Sequence, residues 1–282
     1  MIPAALKSAV PLPLREAVWT IRRAWRDRRV RRSEADRVIG LAAARQLRRS
    51  AWLPRTIAAV RIPGYEFPLH FRPRTSDPDV IEQVFVRQEY LCVARLASVR
   101  TILDCGANIG CTAFYLLHAY PDAEVVVVEP DEANMSICRL NLAPFGQRVR
   151  FVQAGVWPHA EPLRVERGKF RDGRAWSYQV RPCRPGERPD MEGIPLRALI
   201  RLLPTGVDLV KIDIEGAERG VFEALESDAL ERVRNIAIEL HDEACERAFD
   251  RALGTYTAER TTAGELTVIR GLKPAALANQ LR

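Results

Sequence analysis

A chain of 282 residues, 47% apolar and 28% charged, carries enough apolar material for one substantial core and a small accessory piece, which excludes a disordered or fibrous protein. The net charge of +7 is unevenly spread: residues 1–60 hold 14 Lys and Arg against 4 Asp and Glu, and the remainder is net acidic. The basicity therefore belongs to an N-terminal segment, and the main body does not read as a specific nucleic-acid binder.

The opening MIPAALKSAVPLPL is interrupted by Lys7, Pro11 and Pro13 before a signal-peptide core develops, and no run approaches ~18 apolar residues. Leu14, Val18, Ile21 and Trp25 fall on one stripe of a helix over residues 14–32, with Arg22, Arg26 and Arg29 on the rest. A second helix is expected from an N-cap at Ser33 to Gln46. These helices pack their stripes on the main domain and leave solvated arginines; the alternative is peripheral contact of residues 14–49 with an anionic membrane.

Alternation over residues 57–72 around Pro63 and Gly64 predicts a hairpin, and Ser76 or Asp77 caps a single helix with Val80, Ile81, Val84, Phe85 and Leu91 facing inward. This helix leads into the first central strand and closes over its ligand end, making Glu89 and Tyr90 candidates for cofactor contact. The strand TILDC runs into the turn Gly106–Gly110, then a helix, then the β-branched strand EVVVV ending at Glu129. A helix over 131–142 and a strand over 149–152 continue the alternation, which implies a doubly wound α/β sheet. Residues 157–195 lose helical period and read as an inserted hairpin and loop, where Trp176 and Tyr178 are candidates to line an acceptor pocket. Helical PLRALIRLL, the strand 207–212 delivering Asp213, a helix over 217–225, the strand NIAIEL ending at Glu239, and a C-terminal antiparallel hairpin complete the chain.

Asp104, Glu129, Asp213 and His241 all lie at the carboxyl ends of strands, where open α/β sheets bind ligands. Gly106-Ala-Asn-Ile-Gly110 is one glycine short of the dinucleotide fingerprint, with Asn108 where a pyrophosphate would need a glycine. A ligand without phosphates fits better. S-adenosylmethionine has a ribose to meet Glu129 and a cationic sulfonium that favours acids such as Asp104. For a general base the choice is His241, which titrates near neutral pH; alternatively Asp213, Glu239 and His241 bind a divalent cation that lowers an acceptor's pKa, although the leading reading assigns no metal ligand. The six cysteines include no CxxC pair and suit buried free thiols of a reducing, cytoplasmic compartment.

DCGANIG, the EP after the second strand, VDLVKIDIEGAE and ELH resemble the FkbM family of class I S-adenosylmethionine-dependent methyltransferases, and RPRTSD with QVFVRQEY is similar to that family's lead-in. The resemblance spans about residues 60–250, and KIDIEGAE is its most specific piece; Cys105 replaces a usual small aliphatic residue. It implies a Rossmann-like seven-stranded sheet with a C-terminal hairpin: a basic helical extension over 1–56, then a methyltransferase domain over 57–282 with its core at 100–250. It also implies that Asp104, Gly106, Asn108, Gly110 and Glu129 hold the cofactor, that Asp213 and Glu215 line the transfer site, and that the acceptor is a hydroxyl of a sugar, glycolipid or secondary metabolite. The rival reading is a nucleic-acid or anionic-membrane binder using the basic N-terminus beside a non-catalytic fold.

Overall fold

The computed structural model describes residues 34–54, 56–166 and 178–275. The helix expected over residues 14–32, its stripe, the Ser33 cap and Trp176 lie outside them. Strands in chain order are β1 (Ala58–Val60), β2 (Leu69–Phe71), β3 (Thr101–Cys105), β4 (Glu124–Val128), β5 (Val149–Val152), β6 (Gly155–Val156), β7 (Pro162–Glu166), β8 (Gln179–Pro182), β9 (Met191–Ile194), β10 (Leu209–Ile212), β11 (Ile236–Glu239), β12 (Tyr256–Ala263) and β13 (Leu266–Pro274).

Seven of these form the central sheet in the order β12-β13-β11-β10-β3-β4-β5. β3, β4, β5, β10 and β11 are mutually parallel, and the β12–β13 hairpin is antiparallel, closing one edge as expected. Because side chains alternate across a strand, Ile102, Val125 and Val127 join the apolar cluster on one face while Leu103, Val126 and Val128 join the one on the other. A sheet covered on both faces is why these strands read as continuous apolar runs. The chain leaves β3 toward β4 on one side and returns at β10 on the other, so strand order reverses between β3 and β10. That is where a ligand crevice opens.

The insertion is a second sheet of order β6-β9-β7-β8, whose β7–β8 hairpin is antiparallel. β1 and β2 pair antiparallel, as the alternation predicted. Two helices depart from expectation. The second N-terminal helix breaks at Gly40, φ 79°, and resumes over Leu41–Arg48, with Ala43, Ala44 and Leu47 buried in the sheet's own apolar cluster. The single helix after Ser76 is three short pieces, Asp77–Ile81, Glu82–Val86 and Glu89–Cys92, interrupted at left-handed Gln88, φ 53°. A helix over Glu243–Leu253, not read from the sequence, packs against the one over Glu218–Glu223. All six cysteines are free, and among the described residues no helix is long and apolar enough to cross a membrane.

Candidate active site

Gly106 follows β3 with φ 80°, and a Cβ there would collide with the carbonyl oxygen of Asp213 at the neighbouring strand end. Only glycine lets the two strand ends meet so closely. The Gly106 and Ala107 amides donate to Val128 O at 2.9 and 3.0 Å, tying the loop to β4. Asn108 takes the left-handed conformation, φ 51°, supported by its own Oδ1, which accepts from the Ile109 amide at 2.7 Å. At Gly110 a Cβ would press on Cys138 Sγ at 2.9 Å, so this glycine permits close packing of the two helices that flank β4.

Glu129, at the end of β4, is 4% exposed. Its Oε2 accepts from the Asn108 amide at 2.8 Å, and Oε1 from the Asp131 amide at 2.9 Å and Asn134 Nδ2 at 3.2 Å. Three of a carboxylate's four lone-pair directions are thus taken, and Oε2 keeps one for a ligand. Burial pushes its pKa up to about 7 against those hydrogen bonds. Behind it, Arg72 Nη2 donates to Asn134 Oδ1 at 2.6 Å and to Asp77 Oδ1 at 2.8 Å. Asp77 is fully buried, so the RPRTSD segment acts as an orienting chain for the Glu129 carboxylate.

Asp104 is wholly buried and does not line a cleft. Its partner is Lys211, directly across the β3–β10 ladder, with Nζ 3.3 Å from Oδ1. Lys211 also donates to Gly106 O at 2.6 Å and approaches Asp213 Oδ2 at 3.8 Å. Burial lowers a lysine pKa, but Asp104, Tyr90 and Asp213 more than offset it and hold the ammonium charged. Asp104 therefore supports the glycine loop from beneath, and Lys211, which sequence reasoning passed over, joins the loop to both acids.

Asp213 follows β10, and the turn after it is fixed by Glu215 with φ 55°, whose carbonyl accepts from Gln179 Nε2 at 2.6 Å. His241 follows β11 with its side chain 3% exposed. Its Nε2 faces Glu215 Oε2 at 3.3 Å, Glu239 Oε1 at 3.6 Å and Asp213 Oδ1 at 3.8 Å, while Nδ1 lies 3.1 Å from Glu218 Oε1. Glu218 is fully buried and also accepts from the Ile214 amide at 3.0 Å. Burial alone would lower the histidine's pKa, but the hydrogen bonds to Glu215 and Glu218 push it up to about 10. Both ring nitrogens of His241, the residue expected as general base, face carboxylates, an arrangement that favours the protonated imidazole.

Two adjoining clefts share Gly106, Asn108, Asp213 and Glu215. One runs over Glu129, Asn134, Tyr178 and Val180. The other, of about 250 Å³, is walled by Arg87, Tyr90, Thr112, Lys211, Glu239 and Glu265. The segment before β3 does close over the ligand end, through Val80, Gln83, Val84 and Tyr90. Glu89 stands apart from the glycine loop, its carboxyl grouped with those of Glu239 and Glu265.

S-adenosylmethionine fits this crevice. Gly106 and Asn108 line it without a large side chain from the glycine, Glu129 has an acceptor left for a ribose hydroxyl, and Asp213 and Glu215 suit a cationic sulfonium where a pyrophosphate would be repelled. Gly106, Asn108, Glu129, Asn134 and Tyr178 would hold the nucleoside end.

Residues 104–260 match the family described as "Methyltransferase FkbM domain". Methyltransferase sdnD of Sordaria araneosa is 28% identical over 201 residues, covering 56% of this chain and 75% of that protein. Among solved structures, precorrin-6y C5,15-methyltransferase from Geobacter metallireducens is similar at 16% identity and TM-score 0.40, over 67% of this chain and 88% of that one. M. capricolum TrmK with S-adenosyl-homocysteine is similar at 11% identity and TM-score 0.41, over 67% and 68%. With more than half of its length matched, the chain belongs to the FkbM methyltransferase family and uses S-adenosylmethionine as its methyl donor.

Proposed function

We propose that this methyltransferase acts on a hydroxyl oxygen of a sugar, glycolipid or secondary metabolite. The observation that carries the reading is the acidic wall of the crevice, where Asp213, Glu215 and Glu239 meet beside the glycine loop. A neutral hydroxyl acceptor can hydrogen-bond to these carboxylates and give one of them its proton, whereas a phosphate-bearing acceptor is repelled. The bound cofactor supplies an electrophilic methyl group; the oxygen–methyl bond forms as the sulfonium–methyl bond breaks, and S-adenosylhomocysteine leaves.

The chain's own contribution is alignment, the main source of rate in an in-line displacement. Glu129 and Asn108 fix the nucleoside end, and Lys211 holds the loop carbonyl and Asp213 in register. Glu215, 3.3 Å from the imidazolium, is the carboxylate placed to take the hydroxyl proton, and Asp213 lines the path beside it. The acidic mouth also speaks against a nucleic-acid substrate for the folded domain.

Incubation with S-adenosylmethionine and panels of glycosides, glycolipids and polyketide alcohols, read by mass spectrometry and base hydrolysis, tests the reading. A base-stable methyl ether is expected. Transfer only to amines or carboxylates would overturn it.

A further inference from the structure

We propose that Asp213, Glu239 and His241 form a divalent-cation site at the acceptor side of the crevice. Their donor atoms all lie within 4.8 Å of one another. Glu215 Oε2, 3.3 Å from the same imidazole nitrogen, completes the inner face. The site rests on the hydroxyl-acceptor reading above for its use, but not for its existence.

The group is more than a patch of surface acids. The three ligand residues come from two adjacent parallel strands, β10 and β11, whose register places Ile212 opposite Ile238 and so brings the strand ends level. The donor set is one imidazole with carboxylates, suited to Mg²⁺ or Mn²⁺ more than to a thiolate-seeking metal. Outside the set, buried Glu218 places Oε1 3.1 Å from His241 Nδ1 and is itself anchored by the Ile214 amide. A carboxylate on the far nitrogen of a ligating histidine fixes the ring's orientation and raises its basicity, as at most protein metal centres. Here it aims Nε2 at the point where the carboxylate oxygens of Asp213, Glu215 and Glu239 converge.

Around that point stand five carboxylates (Asp104, Asp213, Glu215, Glu218 and Glu239) against two cationic side chains, Lys211 and His241. Lys211 is absorbed by Asp104 and by Gly106 O, leaving the His241 side of the cluster with an excess of negative charge. A cation bound there takes the place of the proton on Nε2 and answers the excess. Its open side faces the cleft that Asp213, Glu215 and Glu239 line. Such a cation would make an acceptor hydroxyl bound there more acidic, with Glu215 placed to take its proton as the sulfonium–methyl bond breaks and the oxygen–methyl bond forms.

Titration of EDTA-treated, full-length protein with Mn²⁺, followed by electron paramagnetic resonance and calorimetry with and without S-adenosylhomocysteine, tests the site. One Mn²⁺ per chain is expected. H241A and E239Q should each weaken it at least tenfold, E218Q should weaken it about tenfold through the ring's orientation, and E124Q, exposed at the amino end of β4, should leave it unchanged. Thermal melts and retained S-adenosylhomocysteine binding show that the variants are folded. No stoichiometric Mn²⁺ binding, or binding indifferent to H241A and E239Q, overturns the proposal. Mn²⁺ bound as predicted with no methyl ether formed would overturn the hydroxyl reading and leave the cation site standing.

Discussion

Lys211 places a full charge inside a central parallel strand, 2% exposed, and the structure gives the reason: Asp104 lies across the ladder, and the carbonyls of Cys105 and Gly106 accept from its ammonium. Removing one partner of a buried ion pair costs about 3–5 kcal/mol because the other is left uncompensated. K211M should therefore lose about that much in urea unfolding, and K211M with D104N should lose clearly less than the sum of the two single variants. Additive losses would mean that the pair does not act as a unit. Glu129 makes a pH prediction. Its folded pKa near 7 lies above the ordinary 4.5, so the fold favours the neutral carboxyl. The resulting contribution to stability is full below about pH 4.5 and is lost as pH rises through about 7. Unfolding of wild type and E129Q from pH 4 to 8 should show wild type losing stability relative to the variant. Ribose hydroxyls need the ionised form, so S-adenosylhomocysteine affinity should fall about tenfold per pH unit below 7 and level off above it. A flat profile in wild type would contradict this role. Neither role was legible in sequence beyond position. Glu129 could be placed at a strand end, but Lys211 looked like one polar residue in an apolar run, because the partner that explains it sits 107 positions away.

At the scale of elements, the turn between β3 and the helix Cys111–Ala119 is where local chemistry and long-range contact coincide. A left-handed backbone costs an L-residue roughly 1–2 kcal/mol, and at Gly106 a methyl group would also strike Asp213 O. G106A should weaken S-adenosylhomocysteine binding by at least about tenfold by calorimetry. G146A, with φ 58° but open space around it, should bear only the conformational cost and bind as wild type does. Equal effects would deny the loop its special place. Glycine spacing made this turn readable, since Gly and Asn are the residues that accept such dihedrals. The broken helix after Ser76 was not readable. Its inward spacing is helical throughout, yet Gln88 turns left-handed and the last piece folds back so that Tyr90 reaches the crevice beside Lys211. RPRTSD gave a family signal without a mechanism; Arg72 and Asp77 acquire one only when Asn134, 62 positions from Arg72, is brought into contact.

At the scale of the whole molecule, alternating strand and helix patterns were enough to read a doubly wound sheet, and the C-terminal hairpin was visible as two alternating runs. The sheet order β12-β13-β11-β10-β3-β4-β5 was not legible from pattern alone, because pairing partners are non-local. It is this order that sets β3 beside β10 and brings the glycine loop, Lys211 and Asp213 to one point. His241 shows the limit: its strand-end position suggested a base, but only the fold shows Glu215, Glu218, Glu239 and Asp213 converging on its ring. On the proposed function, this crevice holds S-adenosylmethionine with its acid wall turned to a hydroxyl. Transfer of an isotopically labelled methyl group from S-adenosylmethionine, with the product's new bond assigned by NMR, tests it most directly. The label is predicted on oxygen as a methyl ether, with transfer abolished in G106A; label on nitrogen or carbon, or transfer unaffected by G106A, would contradict it.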